Sequence, residues 1–163
     1  MGSAEAPDWL SWLQQSALAG QMRDSAWLYP ATEILHIVAF VVALGCLLVL
    51  DFRLIGLGSR IAFNEVAGAL LPWAIGAFSL TIPTGILLLL PEASSIAHNP
   101  AFLAKLALMV LAGTNAGLFH LGPWRRRDRW LVGVPPLSAR ASGAISILLW
   151  VGVVAAGRLI AYL

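Results

Sequence analysis

Residues 31–50 read Ala-Thr-Glu-Ile-Leu-His-Ile-Val-Ala-Phe-Val-Val-Ala-Leu-Gly-Cys-Leu-Leu-Val-Leu, an apolar run interrupted by Glu33 and His36 alone among ionisable side chains other than the thiol of Cys46. At 1.5 Å per residue, a helix of this length covers the roughly 30 Å hydrocarbon core of a bilayer. Three further runs of the same kind follow, over 66–90, 101–121 and 141–163. A helix satisfies its own backbone in lipid, which an open strand cannot do. The reading is therefore an all-α integral membrane protein, one domain of four spans. The short connections predict an up-down-up-down four-helix bundle.

Composition agrees with that reading. Of 163 residues, 60% are hydrophobic and 11% charged, and the mean hydropathy is +0.84. Soluble domains carry about 25% charged residues. A disordered chain, a basic nucleic-acid binder and an ordinary soluble enzyme are excluded, so the bilayer is the expected partner and nucleic acid is not. The one cysteine, Cys46, forms no intramolecular disulfide and reads as a small hydrophobe in the first span. No Lys or Arg precedes Arg23, so the chain shows no basic start to a cleavable signal peptide.

Basic residues give the bundle a direction. Arg53, Arg60, Arg125, Arg126, Arg127, Arg129 and Arg140 fall on the side reached at the end of the first span, against Arg23 alone on the other. Basic loops stay cytoplasmic. Both termini are then expected on the periplasmic side of a bacterial inner (cytoplasmic) membrane. The run Trp124-Arg-Arg-Arg-Asp-Arg-Trp130 reads as a topology anchor among anionic headgroups, flanked by interfacial tryptophans. Residues 7–22 place Trp9, Leu10, Leu13 and Ala17 at helical spacing after Pro7, which predicts an N-terminal amphipathic helix on the outer interface or against a partner's outer domain.

Small residues predict where helices meet. Gly68, Pro72 and Gly76 form a four-residue stripe on the second span, Ala112 and Ala116 on the third, and Ser142, Ser146, Gly152 and Ala156 on the fourth. Pro72 and Pro83 each remove a backbone donor and bend the second span. The hydroxyls of Thr81 and Thr84 are placed to serve the interrupted ladder or to face a cavity.

Ionisable residues inside spans need a partner or a purpose. Near the outer side lie Glu33, His36, Thr84, Lys105 and Arg158, contributed by all four spans. Glu33 and His36 share a helix face. If the five converge, they form an outer-leaflet cup suited to an anionic or carbonyl-bearing ligand: a quinone head, a haem propionate or a lipid phosphate. If they do not, Glu33 pairs with Arg158 and Lys105 snorkels to the headgroups. A haem b ligated by His36 and His120 is excluded, because the two lie roughly 20 Å apart along the membrane normal. His36 with His98 is the remaining histidine pair for haem b, and the same pair, with Met22, for copper. No zinc-hydrolase His-Glu-x-x-His pattern or nucleotide-binding glycine loop is present.

The run Arg23-Asp-Ser-Ala-Trp-Leu-Tyr-Pro30, then Glu33, His36 and Leu50-Asp-Phe-Arg-Leu-Ile-Gly56, resembles a family of small, uncharacterised four-helix bacterial inner-membrane proteins. Trp73, Gly76, Thr84-Gly85, Asn99-Pro100, Phe102, Lys105, Asn115 and His120 extend the likeness over nearly the whole chain. The chain is also, more weakly, similar to the membrane domain of copper-resistance D-type proteins. The resemblance implies four spans and an inner-membrane location, and carries over no activity.

The expectation is thus a membrane binding or accessory subunit, beside a larger respiratory or periplasmic partner or in a homo-oligomer. The alternatives are a b-type cytochrome, a copper-handling membrane protein and a purely structural subunit. The orientation has its own test. A periplasm-active reporter fused after Leu163 is expected to be active, and a signal from a cytoplasm-only reporter there would reverse it.

Overall fold

A computed structural model describes residues 8–130 and 133–163, and among them the only regular elements are helices. Two short helices, α1 (Asp8–Gln14) and α2 (Ala17–Asp24), precede α3 (Leu28–Ile55) and α4 (Phe63–Leu89). A 3₁₀ turn (Leu90–Glu92) and α5 (Ala93–Ala97) lead into α6 (Pro100–Leu121). A 3₁₀ segment (Pro123–Arg129) then leads to α7 (Leu137–Leu159). The helices α3, α4, α6 and α7 are long and apolar enough to cross a membrane.

The ends of these helices have local causes. Asn99 caps α6 by accepting from the N–H groups of Ala101 (2.9 Å) and Phe102 (3.3 Å), with Pro100 in the first turn, where no donor is needed. Its amide also donates to the Ile160 carbonyl, tying the start of α6 to the end of α7. α3 runs five residues past the expected Leu50 and stops at Gly56, whose φ of 119° only glycine adopts readily. α7 is displaced towards the N-terminus relative to the 141–163 reading. It starts after Pro136 and ends at Leu159, because a proline sets the start regardless of where the apolar run begins.

Residues 7–22 do not form one helix. Ser16 breaks the segment by capping a new helix, its Oγ accepting from the Ala19 N–H at 3.2 Å. Pro7 lies outside the described residues. The two pieces dock on the α5 end of the bundle with Leu10, Ala19 and Met22 buried, while Trp9, Trp12 and Trp27 stay exposed. Arg23 holds the dock, donating to the Gln14 carbonyl (2.9 Å) and more distantly to that of Pro91 (3.4 Å).

The long helices pack in the order α4–α3–α7–α6, with close backbone seams between α3 and α4, α3 and α7, and α6 and α7. Trp150 of α7 sits at the centre, its ring 6.2 Å from Phe40 of α3 and 5.8 Å from Phe78 of α4. Leu108, Met109 and Ala112 of α6 complete this cluster. A second cluster lies nearer the arginine-rich side, where Phe63 meets Phe119, Trp124 and Trp130 above Leu50 and Leu54. Outside these clusters the long helices present an apolar surface, with Val41, Ile75, Val110 and Leu148 more than half exposed.

The expected small-residue stripe of α4 does not pack, whereas Gly152 of the expected α7 stripe does. A Cβ at Gly68 or Gly76 would meet nothing within 4 Å, and Pro72 is exposed, so that stripe is unpacked in the isolated chain. The closest seam is at Gly143 of α7, where a Cβ would stand 2.9 Å from the Asp51 carbonyl oxygen and 2.9 Å from Leu54 Cβ of α3. Gly152 receives Leu108 of α6 in a similar way, at 3.1 Å.

Arg53, read from sequence as a loop charge, is instead 3% exposed in the last turn of α3. Its guanidinium donates to the carbonyls of Ile61 (2.8 Å), Gly133 (3.4 Å) and Ser59 (3.4 Å), stitching both connections on that side to the helix. Arg140 adds a bond to the Ile55 carbonyl at 3.1 Å.

The α3–α7 seam predicts an asymmetric response to substitution. Gly143→Leu is expected to destabilise the detergent-solubilised protein by about 1–3 kcal/mol through overpacking. Gly113→Leu, whose Cβ meets nothing within 4 Å, should stay within about 0.5 kcal/mol of the parent protein. Thermal unfolding of the two variants checks the difference.

Candidate functional site

Two of the five expected outer-side residues, His36 and Thr84, are joined by a hydrogen bond, and glycines seat His36 and Lys105. His36 of α3 lies half-buried against α4, with Nδ1 2.9 Å from Thr84 Oγ1. The Thr84 hydroxyl has one proton, directed at the Leu80 carbonyl 2.7 Å away. It therefore accepts from His36 Nδ1–H, and the ring also bonds the Thr81 carbonyl. This hydrogen-bond assignment leaves the lone pair on Nε2. Gly85 makes the fit: a Cβ there would be 3.1 Å from His36 Cε1.

Lys105 of α6 is likewise half-buried. Its side chain lies across Gly157 of α7, where a Cβ would stand 3.7 Å from Nζ. Thus α3 supplies the imidazole, α4 its acceptor, α6 the cation and α7 the space for it. An imidazole with a bare Nε2 offers an acceptor to a ligand, and an ammonium offers donors.

Glu33 and Arg158 lie outside this group. Glu33 is exposed, and its charge acts on Tyr29, one turn before it. Arg158 is exposed and folds along its own helix, donating to the Tyr162 hydroxyl at 2.7 Å with its guanidinium 5.0 Å from the ring centroid. The alternative Glu33–Arg158 pair therefore does not form. His98 is exposed at the end of α5, with Nδ1 2.8 Å from the Ser94 carbonyl. His120 stands at the far end of α6, bonded to the Ala116 carbonyl and stacked near Trp124. Among the described residues there is no group of three or more His, Cys, Asp or Glu able to hold a metal ion. Cys46 is a free, partly buried thiol.

Proline 83 prepares the site. It removes the N–H that would meet the Ser79 carbonyl, and the two threonine hydroxyls bond the flanking carbonyls, Thr81 to Phe78 and Thr84 to Leu80. α4 stays helical through both prolines.

A second polar layer lies towards the arginine-rich end of the bundle, where sequence reading placed Asp51 and Asn115 without showing what they meet. Asp51 is 7% exposed, hydrogen-bonded to Ser146 of α7, and its Oδ2 has no hydrogen-bond partner among the described residues. One turn away on α7, Ser142 is joined to Asn115 of α6 by two hydrogen bonds of 3.0 and 3.2 Å. Fifteen residues of α3, about 22 Å, separate this layer from His36. The four-residue spacing of Ser142 and Ser146 was visible in sequence, but as a packing stripe, with no sign of the partners across it.

Comparison with known families, curated proteins and solved structures finds no match to this chain.

The tautomer is directly testable. Imidazole ¹⁵N spectra of the neutral protein are expected to show His36 protonated at Nδ1 and bare at Nε2. Gly85→Val should displace the ring and change that signal. A parent His36 protonated at Nε2 would overturn the network described above.

Proposed function

We propose that the chain is a multi-pass membrane protein that binds a quinone-like head group between His36 and Lys105. The observation carrying this reading is an imidazole oriented by Thr84 on α3 and a half-buried ammonium on α6, each seated on a glycine of a neighbouring helix. Lys105 donates to a carbonyl oxygen of the ligand. His36 Nε2 accepts from a hydroxyl, as in the reduced form of such a head group. Thr84 holds the ring in the tautomer that makes this acceptor available.

The setting is an up-down-up-down bundle in a bacterial inner membrane, with both termini and the His36 level on the periplasmic side. Its support is the pairing of helix ends (His36 with Thr84, Leu50 and Leu54 with Phe63, Asn99 with Ile160) together with the arginine asymmetry. The exposed Trp9, Trp12 and Trp27 suit α1 and α2 to the outer interface, as an amphipathic segment at headgroup depth. The resemblance to small four-helix inner-membrane proteins fits this setting, as does an accessory role beside a larger respiratory or periplasmic partner, or in a homo-oligomer.

A second reading rests on the same Nε2. An anchored Nδ1–H is how proteins orient a metal-ligating histidine, so His36 also suits the axial position of a haem b or, with His98, a copper ion. A visible absorption spectrum separates the readings, since haem gives a Soret band that His36→Ala abolishes.

The quinone reading is tested by titrating the purified, haem-free protein in detergent with a short-chain ubiquinone. Lys105→Met and His36→Ala are each expected to weaken binding by about tenfold or more, the loss of a hydrogen bond to a charged or buried group. Arg158→Gln and Glu33→Gln should leave it unchanged. Failure of the parent protein to bind, or equal losses in all four variants, would remove the site.

A further inference from the structure

On the opposite side of the chain from His36, a groove of about 740 Å³ runs along the outside of α4 beneath the arginine-rich 3₁₀ segment. Asn64, Gly68, Leu71 and Ile75 of α4 line it, and Trp124 and Arg127 close one end. The 3₁₀ segment overhangs α4 there because Trp124 is held against Phe63, their ring centroids 5.6 Å apart. Gly68 leaves its floor open, since a Cβ there would meet nothing within 4 Å.

We propose that this groove is a binding site for an anionic glycerophospholipid. The inference is independent of the His36–Lys105 reading. Its first support is charge complementarity. The head end carries Arg127, half-buried, its guanidinium 4.6 Å above the Trp124 ring, with exposed Arg125 and Arg126 on the same turn. Stacking fixes the plane of the guanidinium. One N–H is directed at the Trp124 carbonyl at 3.5 Å, and a guanidinium carries five donors in all, enough to take a phosphate as well. The Asn64 amide at the same end adds a neutral donor for glycerol or ester oxygens. Basic pockets between membrane helices at the arginine-rich side are the recurring form of such sites.

Length gives the second support. From Asn64 to Ile75 the groove follows eleven residues of helix, about 16 Å, which is one leaflet's share of a roughly 30 Å hydrocarbon core. A ligand charged at one end and apolar for one leaflet's depth is a phospholipid. A second copy of the chain fits less well. A two-fold axis along the membrane normal would bring two arginine turns to the same level against each other, and like charges at close range repel.

The full-length protein in dodecyl maltoside is titrated with phosphatidylglycerol or phosphatidylcholine of matched chains, and bound lipid is counted by intact-complex mass spectrometry. One phosphatidylglycerol per chain is expected, held at least tenfold more tightly than phosphatidylcholine, with the preference falling as salt rises. Arg127→Gln should cost about fivefold in phosphatidylglycerol affinity and leave phosphatidylcholine unchanged. Gly68→Leu fills the floor without a clash and should weaken both lipids. His36→Ala should alter neither. Equal affinity of the two lipids for the parent protein overturns the proposal, as does undiminished phosphatidylglycerol binding in both groove variants. A dimer that binds neither lipid also overturns it and assigns the groove to a second copy.

Discussion

The close approach of α7 to α3 at Gly143 joins the two halves of the molecule. α3 with α4, and α6 with α7, are packed pairs formed by neighbours in sequence, and between the pairs the close backbone seam is the one with α3 and α7 as its walls. Where side chains gain nothing by leaving an apolar solvent, dispersion contact and hydrogen bonds hold helices together, and both need short distances. With no side chain on Gly143, the α3 backbone at Asp51 and the Leu54 Cβ come closer than a Cβ there would permit. Ser146, one turn on, bonds Asp51 across the same seam. His36 belongs to one pair and Lys105 to the other, so their relative placement depends on this contact some 22 Å away along α3.

The two ends of the bundle are built differently. At the His36 end, polar side chains turn inward and are seated on glycines, while the connections are dressed by α1 and α2. At the other end, arginines do structural work: Arg53 and Arg140 satisfy carbonyls of the turns and of the α3 terminus, groups that would otherwise remain without donors near the edge of an apolar layer. Arg127 stacks on Trp124. A residue counted as a topology charge can thus be a stitch, a ring partner or a headgroup contact, and the count alone does not separate them.

Much of the fold was legible in the chain. Span number and approximate position follow from apolar run length, because the backbone must be satisfied within each segment whatever its neighbours do. Caps such as Asn99-Pro100 act over three residues and read directly. The errors have a common physical origin. α3 extends through Arg53 because neighbouring segments satisfy its guanidinium, and a hydropathy run cannot register partners supplied from elsewhere. Gly68, Pro72 and Gly76 form a regular stripe, yet face outward. Gly85, Gly143 and Gly157 belong to no such stripe, yet receive His36, the α3 backbone and Lys105. Small residues permit close approach, but which of them is approached depends on helix rotation.

From the residues alone came four apolar helices, their basic and non-basic sides, and a short roster of polar groups at each depth. These are properties of segments, set by the cost of placing backbone and charge in an apolar medium. The folded arrangement chose among that roster. It joined His36 to Thr84, laid Lys105 across Gly157, turned Arg158 onto Tyr162, left Glu33 exposed, and buried Asp51 against Ser146. Those choices depend on the order of the helices and their rotation about their own axes, both set by contacts between segments distant in sequence.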